Sequence, residues 1–293
     1  MLDEKRKGII LAGGKGSRLW PITLGVSKQL LPIYNKPSIF YPLSTLMLCG
    51  IREFLIITTP NDLDNFKSLL GNGEELGISI IYKIQPKPNG IAEAFIIGEE
   101  FIGNSSVALI LGDNFFYGND LTKVLKLASK RTVGATIFAS EVLDPERYGV
   151  INFDQNLNIT SIVEKPKNPV SNFAITGLYF YDNKVIEYTK KLRPSSRGEL
   201  EITDLNKIYF NKKKLEVSLF GRATIWFDTG TFDSLLEASS FVKSLENKQR
   251  LKIGSPEEIS WRNGWINNDR LKKIGEKYKY NSYGEYLISL SKP

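Results

Sequence analysis

Short apolar runs and amphipathic stretches take turns along most of this chain of 293 residues. The first run, Gly8-Ile9-Ile10-Leu11-Ala12, is too short for a helix and bounded by glycines, which predicts a fully buried strand. Residues 38–50 carry an amphipathic pattern that stops at Gly50, as a helix with a C-terminal glycine does. A second strand is predicted over 54–58, a helix over 61–70 with its cap in Asn61-Asp62, and further strands over 78–82 and 107–111. Alternation at 160–163 marks a half-buried strand, which Pro166 stops. An apolar strand over 223–227 leads through Thr229-Gly230 into a helix over 232–243. From Gln249 the pattern breaks into three short helices, opening at Pro256, Asn268 and Tyr283. Repeated strand–helix alternation predicts an α/β fold whose parallel sheet is covered on both faces. Ligands of such sheets bind beyond the carboxyl ends of the strands, where the first glycine loop falls.

That loop is Gly13-Gly14-Lys15-Gly16-Ser17-Arg18. Its glycines have no Cβ, so the backbone is free to take positive φ and turn N–H groups toward an anion. Lys15 and Arg18 add cations, and arginine holds two phosphate oxygens in a planar fork. The loop looks built for a triphosphate. It has neither the spacing of a Walker loop nor a glycine at Leu19, where a dinucleotide fingerprint needs one. On the residues alone, a plain glycine-rich turn remains the alternative.

Composition narrows the chemistry. With 42% hydrophobic and 24% charged residues the chain has the make-up of a soluble globular protein. No apolar run approaches a membrane span, and residues 1–7 show no apolar leader before the first strand, so a cytoplasmic protein is expected. The single Cys49 lies in an apolar pattern and reads as a packed thiol. Histidine is absent, which removes the usual general base, the commonest metal ligand and every Ser-His or Cys-His arrangement. Carboxylates, Lys, Arg and backbone remain, a set suited to phosphoryl transfer, where positioning and charge stabilisation dominate. The net charge of +7 does not mark a nucleic-acid binder, because its lysine runs are mixed with acids and lack an aromatic reading motif.

Later stretches carry further candidates. Lys28 and Gln29, in Ser27-Lys28-Gln29-Leu30-Leu31-Pro32, offer a cation for a triphosphate and an amide for the edge of a base, or an incidentally polar loop. In Gln85-Pro86-Lys87-Pro88-Asn89-Gly90 two prolines stiffen a tight turn, either a rigid connection or one close to a ligand. Asp113 follows the strand over 107–111 beside Gly112, which leaves room for a ligand. Its carboxylate either binds a hard cation such as Mg2+ or caps the next helix. Asp228 ends the strand over 223–227 with the same two readings, and two such aspartates converging would hold one cation over a triphosphate. Glu164-Lys165 would accept from sugar hydroxyls and neutralise a sugar phosphate, or form an ordinary exposed pair. Arg197 precedes a helix that Thr203 or Asp204 is expected to cap.

Leu11-Ala12-Gly13-Gly14-Lys15-Gly16-Ser17-Arg18-Leu19, then Pro21 and Ser27-Lys28-Gln29-Leu30-Leu31-Pro32, together resemble the signature of the sugar-1-phosphate nucleotidylyltransferases. Tyr41-Pro42-Leu43-Ser44-Thr45-Leu46-Met47 is most similar to the thymidylyltransferases among them, and the likeness runs from Lys7 to the neighbourhood of Tyr286. The resemblance implies a mixed, mostly parallel Rossmann-like sheet with helices on both faces, an inserted sugar-binding sheet within residues 1–250, and a helical C-terminal segment over 251–293. It implies transfer of a thymidylyl group from dTTP to α-D-glucose 1-phosphate, with release of pyrophosphate, toward dTDP-deoxysugars such as dTDP-rhamnose. The sugar phosphate oxygen would attack the α-phosphorus directly, without a covalent enzyme intermediate.

Residue by residue, the resemblance assigns the nucleotide to Leu11, Gly13, Gly14, Gly16, Ser17, Arg18, Lys28, Gln29, Gln85, Pro88, Gly90 and Asp113. It assigns the sugar phosphate to Asn114, Tyr148, Gly149, Glu164, Lys165, Tyr179 and Arg197, and Mg2+ to Asp113 and Asp228. Catalysis falls to Arg18, Lys28, Asp113, Lys165 and Asp228. Many thymidylyltransferases carry Asp and Gln where this chain has Asn89 and Glu93, which bears on base preference. The alternatives are a UTP-using relative, separated by one methyl worth about 1–3 kcal/mol, and a non-catalytic sugar-nucleotide sensor. A homotetramer with feedback inhibition by a dTDP-deoxysugar is also implied, the helical tail serving subunit contacts and a second nucleotide site.

Overall fold

A computed structural model of the chain describes residues 6–292; the N-terminal stretch read above lies, up to residue 5, outside the described residues. The chain divides into two compact units. Among the described residues, unit 1 holds 6–9 with Lys87–Ile110 and Tyr117–Trp226; unit 2 holds Ile10–Pro86, Leu111–Phe116 and 227–292.

In unit 2 the strand Glu53–Thr58 runs parallel to Ser79–Ile84, Phe54 opposite Ile80 and Thr58 opposite Ile84, and Ile10–Ala12, the end of the strand Lys7–Ala12, belongs to the same unit. Phe54, Leu55, Ile56 and Ile57 are all fully buried, so both faces of the strand are covered, which is why the sequence there reads as a continuous apolar run. Each such side chain stabilises the fold by about 1.5–3 kcal/mol. The helix Phe40–Leu48 ends as its pattern predicts, with Gly50 in the left-handed region at φ +84°. The helix Leu63–Leu70 differs from expectation at its start: Asp62 does not cap it. The Asp62 carboxylate instead accepts from Thr59 Oγ1 at 2.5 Å and from the Ser27 N–H at 3.1 Å, tying the helix to the turn that carries Lys28 and Gln29.

The three C-terminal helices form where the pattern breaks: Pro256–Arg262, Asn268–Lys277 and Ser282–Leu290, capped by the side chains of Ser255, Asn267 and Asn281. Ile266, Leu271, Ile274, Tyr283 and Leu287 make their shared core.

Unit 1 is mainly antiparallel. Ile159–Glu164 pairs with Gly149–Phe153, and Phe173–Tyr181 pairs with Gly149–Phe153, with Val107–Leu111 and with Ala135–Glu141, all antiparallel. Leu215–Leu219 runs parallel to Ala135–Glu141. The purely parallel sheet that alternation predicts therefore becomes the mixed sheet that the resemblance implies. Alternation reports which face is buried, not which way the next strand runs. Phe138 packs edge-on to Phe180 at 5.4 Å, and Tyr181 against Tyr209 at 5.3 Å, in the core of this unit. No helix among the described residues is long and apolar enough to cross a membrane.

Candidate active site

In unit 2 the strand Lys7–Ala12 runs out into the glycine loop. Gly14 and Gly16 take φ of +95° and +59°, but Gly13 is not among the positive-φ residues. A Cβ there would crowd Gln85, standing 3.0 Å from its Oε1. At Gly14 a Cβ would meet nothing within 4 Å, and no acceptor among the described residues takes its N–H. Gly16 is closed off by Thr23, whose Oγ1 donates to the Gly16 carbonyl at 2.7 Å, and the 3-10 turn Ser17–Leu19 then carries Arg18. Lys28 and Gln29 lie in a second such turn, Lys28–Leu30. Gln29 is buried and donates from Nε2 to the Gly13 carbonyl at 3.2 Å. The Leu11 carbonyl accepts from the Gly112 N–H at 2.9 Å. Gly112 does not leave room for a ligand: a Cβ there would lie 2.8 Å from Gln29 Cγ, so its bareness serves packing.

Asp113 is 7% exposed, and its carboxylate pairs with the Lys28 ammonium and accepts from Asn114 Nδ2 at 3.1 Å. Burial pushes its pKa up, but the Lys28 charge and the Asn114 amide outweigh that and hold the carboxyl below the usual range. It caps no helix, because the next one, Leu121–Lys130, begins after Asp120. Asp228 caps none either. The helix Phe232–Gln249 is capped by Thr231, which accepts from the Ser234 N–H at 3.2 Å.

With the capping readings gone, the two strand ends prove to be fastened together. The Thr229 N–H and Oγ1 both donate to the Asp113 carbonyl, at 3.0 and 2.8 Å. At the following residue, Gly230, a Cβ would lie 3.0 Å from Asp228 Oδ1 and 3.4 Å from a guanidinium nitrogen of Arg18. Arg18, Lys28, Asp113 and Asp228, far apart in sequence, thus come together within unit 2. No group of three or more His, Cys, Asp or Glu among the described residues could hold a metal ion. Two strand-end carboxylates are nonetheless a fitting donor set for Mg2+, which takes one or two carboxylates and completes its shell with water and phosphate.

The sugar-side residues gather in unit 1 around Glu164. Its Oε2 accepts from Thr203 Oγ1 at 2.5 Å and its Oε1 from Arg197 at 3.1 Å. Gly149 packs close by, a Cβ there falling 2.9 Å from Thr203 Oγ1 and 3.5 Å from Glu164 Oε2. Lys165 has a left-handed backbone at φ +42°, donates its N–H to the Tyr148 carbonyl at 3.0 Å, and has its ammonium 3.9 Å from Glu164 Oε1. The Tyr148 ring stands edge-on to Trp226 at 5.0 Å. Tyr179 is buried in the strand Phe173–Tyr181, and burial, helped by the Glu164 charge, pushes its phenol well up.

Arg197 is held by Glu201 through bonds of 2.7 and 3.1 Å as well as by Glu164. Burial alone would lower its pKa, but Glu201, Glu199 and Glu164 outweigh that and raise it. Thr203 and Asp204 do not cap the helix Ile202–Asn211: Thr203 turns to Glu164 and Asp204 to Lys207. Pro88 and Gly90 lie in a loop of the same unit. Gly90, at φ +108°, is required by the chain itself, since a Cβ would fall 2.4 Å from the Leu200 carbonyl oxygen.

Sequence reading passed over three contributors: Glu201, Thr203 as a partner of Glu164, and Thr229. Glu201 and Thr203 lie in the quoted run around Arg197, but only a folded sheet shows that Glu164 comes to meet them. Thr229 had a legible signal, a hydroxyl between a strand-end Asp and a Gly.

A family model described as nucleotidyl transferase matches residues 7–244. A glucose-1-phosphate thymidylyltransferase of Neisseria meningitidis is 57% identical over 286 residues, covering 98% of this chain and 99% of that protein. One from Mycobacterium tuberculosis is 52% identical over 97% of this chain and 98% of its own length. A crystal structure from Bacillus anthracis, assigned as a glucose-1-phosphate thymidylyltransferase and complexed with sucrose, is similar at a TM-score of 0.76 and 40% identity, covering 86% of this chain and 99% of that one. A UDP-glucose pyrophosphorylase complexed with UDP-glucose is similar at a TM-score of 0.71 and 27% identity, covering 82% and 99%.

Proposed function

The chain belongs to the nucleotidyl transferase family, in its glucose-1-phosphate thymidylyltransferase branch, and from that premise we propose that it joins dTTP to α-D-glucose 1-phosphate, giving dTDP-glucose and pyrophosphate. The observation that carries the reading is the meeting of the Lys28–Asp113 pair with Arg18 and Asp228, next to a glycine loop in which no acceptor among the described residues takes the Gly14 N–H.

In this reading Arg18 and Lys28 neutralise the triphosphate and then the departing pyrophosphate, work that in phosphoryl transfer is mostly placement of charge. Gly13, Gly14, Gly16 and Ser17 supply backbone around the phosphates, while Leu11, Gln29 and Gln85 frame the nucleoside. Asp113 and Asp228 would hold Mg2+, with Asn114 steadying Asp113. When bound, that ion supplies positive charge to the phosphate oxygens. Glu164 accepts from sugar hydroxyls, and Lys165 neutralises the sugar phosphate, with Tyr148, Gly149, Tyr179 and Arg197 shaping their surroundings. The attacking phosphate oxygen is already anionic and needs no base, in keeping with a chain that has no histidine.

The test is pyrophosphate release with glucose 1-phosphate and Mg2+, offered dTTP and UTP in competition. dTDP-glucose should dominate; no pyrophosphate with any common nucleotide would refute the reading, and a dominant UDP-glucose would move it to the uridylyl branch. The assembly proposed with this activity is a homotetramer, which light scattering checks; a monomeric mass would refute it.

A further inference from the structure

Gln29 is 1% exposed, too buried for an incidental loop residue, and its amide is spoken for at both ends. Nε2 donates to the Gly13 carbonyl at 3.2 Å, while Oε1 accepts from Ser27 Oγ at 2.5 Å. The Gly13 carbonyl settles which way the amide faces, because an oxygen that only accepts must meet the NH2 group, which leaves Oε1 for the Ser27 hydroxyl. Ser27 is buried in turn, and its N–H donates to Asp62 Oδ1 at 3.1 Å, on a carboxylate also held by Thr59. The Gln29 carbonyl takes the Ile39 N–H at 2.8 Å, and the bare Cα of Gly112 lets the side chain pass. A chain of fixed contacts therefore runs from Asp62 to the oxygen of Gly13.

That oxygen belongs to the peptide whose N–H is Gly14's. In a planar trans peptide the C=O and N–H point in opposite directions, so whatever holds the oxygen aims the N–H. Here the oxygen is drawn to Gln29, and the N–H is left without an acceptor among the described residues.

We propose that Ser27 and Gln29 are positioning residues, a relay that turns the Gly13–Gly14 peptide so that its N–H faces the triphosphate. The proposal rests on the reading of the glycine loop as the nucleotide phosphate cradle. It gives Gln29 a role exercised through Gly13, and it gives Ser27, which touches no substrate, a share in nucleotide affinity.

The test uses the full chain with Mg2+ and dTTP, without sugar, in titration calorimetry, comparing wild type with Ser27→Ala and Gln29→Glu. The first substitution frees the amide to rotate, and the second sets a carboxylate oxygen against the Gly13 carbonyl. Losing one fixed hydrogen bond should weaken dTTP binding about fivefold in Ser27→Ala, and more in Gln29→Glu. In turnover of Ser27→Ala, KM for dTTP should rise while KM for glucose 1-phosphate stays put and the melting temperature falls by no more than the loss of one buried hydrogen bond brings. Hydrogen exchange in peptides covering residues 12–18 of the free protein should quicken in Ser27→Ala. Wild-type affinity and exchange in Ser27→Ala would overturn the relay alone. In Ser27→Ala, a parallel rise of both KM values with a melting temperature lowered well beyond that would reduce the relay to general stability and also overturn it. A wild-type chain that binds no dTTP would overturn the relay together with the parent reading, a different result from either.

Discussion

Replacing Glu246 by glutamine should destabilise unit 2 more than replacing its partner Lys36 by methionine, although both remove the same buried ion pair. Lys36 is 2% exposed; its ammonium donates to Glu246 Oε1 and to Asn35 Oδ1, each at 2.6 Å, and lies over the rings of Tyr41 and Tyr283 at 5.6 and 5.5 Å. The Glu246 carboxylate also accepts from Asn35 Nδ2 at 2.8 Å, and from Lys252 Nζ and the Ile253 N–H, both at 3.0 Å. Lys36→Met leaves that carboxylate with a cation and two further donors, so the loss is that of one charged hydrogen bond, about 1.5–3 kcal/mol. Glu246→Gln leaves two ammonium groups facing an amide, the case of a buried charge stripped of its partner, about 3–5 kcal/mol. Burial already lowers the Lys36 pKa against the pull of Glu246, so loss of its proton limits how far the cost can rise.

Melting followed by circular dichroism at neutral pH should show a fall of about 10 °C for Glu246→Gln and roughly half that for Lys36→Met. The pH dependence has a definite sign. Burial would raise the Glu246 pKa, but Lys36, Lys252 and the Ile253 N–H outweigh it, and the folded value lies below the ordinary one. Its contribution is therefore complete above the unfolded value of about 4.3 and disappears as pH falls through the lower folded value. The gap between wild type and Glu246→Gln should narrow below about pH 4. Equal destabilisation by the two variants, or a gap that does not change on acidification, would refute the reasoning.

Asp113→Asn and Arg18→Ala should each slow pyrophosphate release by about a hundredfold or more, far more than either loss of folding stability would account for; near-normal turnover in both would remove the proposed charge arrangement. Thr203→Val, which strips the 2.5 Å bond from Glu164, should raise KM for glucose 1-phosphate several-fold and leave KM for dTTP alone, as steady-state kinetics in each substrate would show. Gly230→Ala adds a methyl 3.0 Å from Asp228 Oδ1; it should lower kcat without preventing folding, and a fully active variant would mean that Asp228 and Arg18 have slack at this point. Gly90→Ala, forced onto φ +108° and against the Leu200 carbonyl, should lower stability by more than about 1 kcal/mol, measured by urea unfolding.

Local signals were enough to find most elements and most candidate residues. The run at residues 54–58 is a strand because four neighbouring side chains are apolar and both faces need cover. The three C-terminal helices start beside residues able to cap them. The glycine loop and the two strand-end aspartates stand out as residue types whose chemistry is rare in combination. Each of these facts lies within a few residues of chain.

The sequence by itself determined which segments are buried, where the backbone turns, and which charges are offered, because periodicity, glycine and capping residues act over one or two turns of chain. Tertiary structure decided whom each charge meets. Asp62, Asp113, Thr203 and Asp228 all resemble helix caps locally, yet none caps a helix: Ser27 and Glu164, brought from far along the chain, take up Asp62 and Thr203, and the helices after Asp113 and Asp228 begin only beyond Asp120 and Thr231. Gly90 and Gly112 likewise owe their bareness to Leu200 and Gln29. A pairing between distant residues costs nothing that the local chain can register, so only folding reveals it.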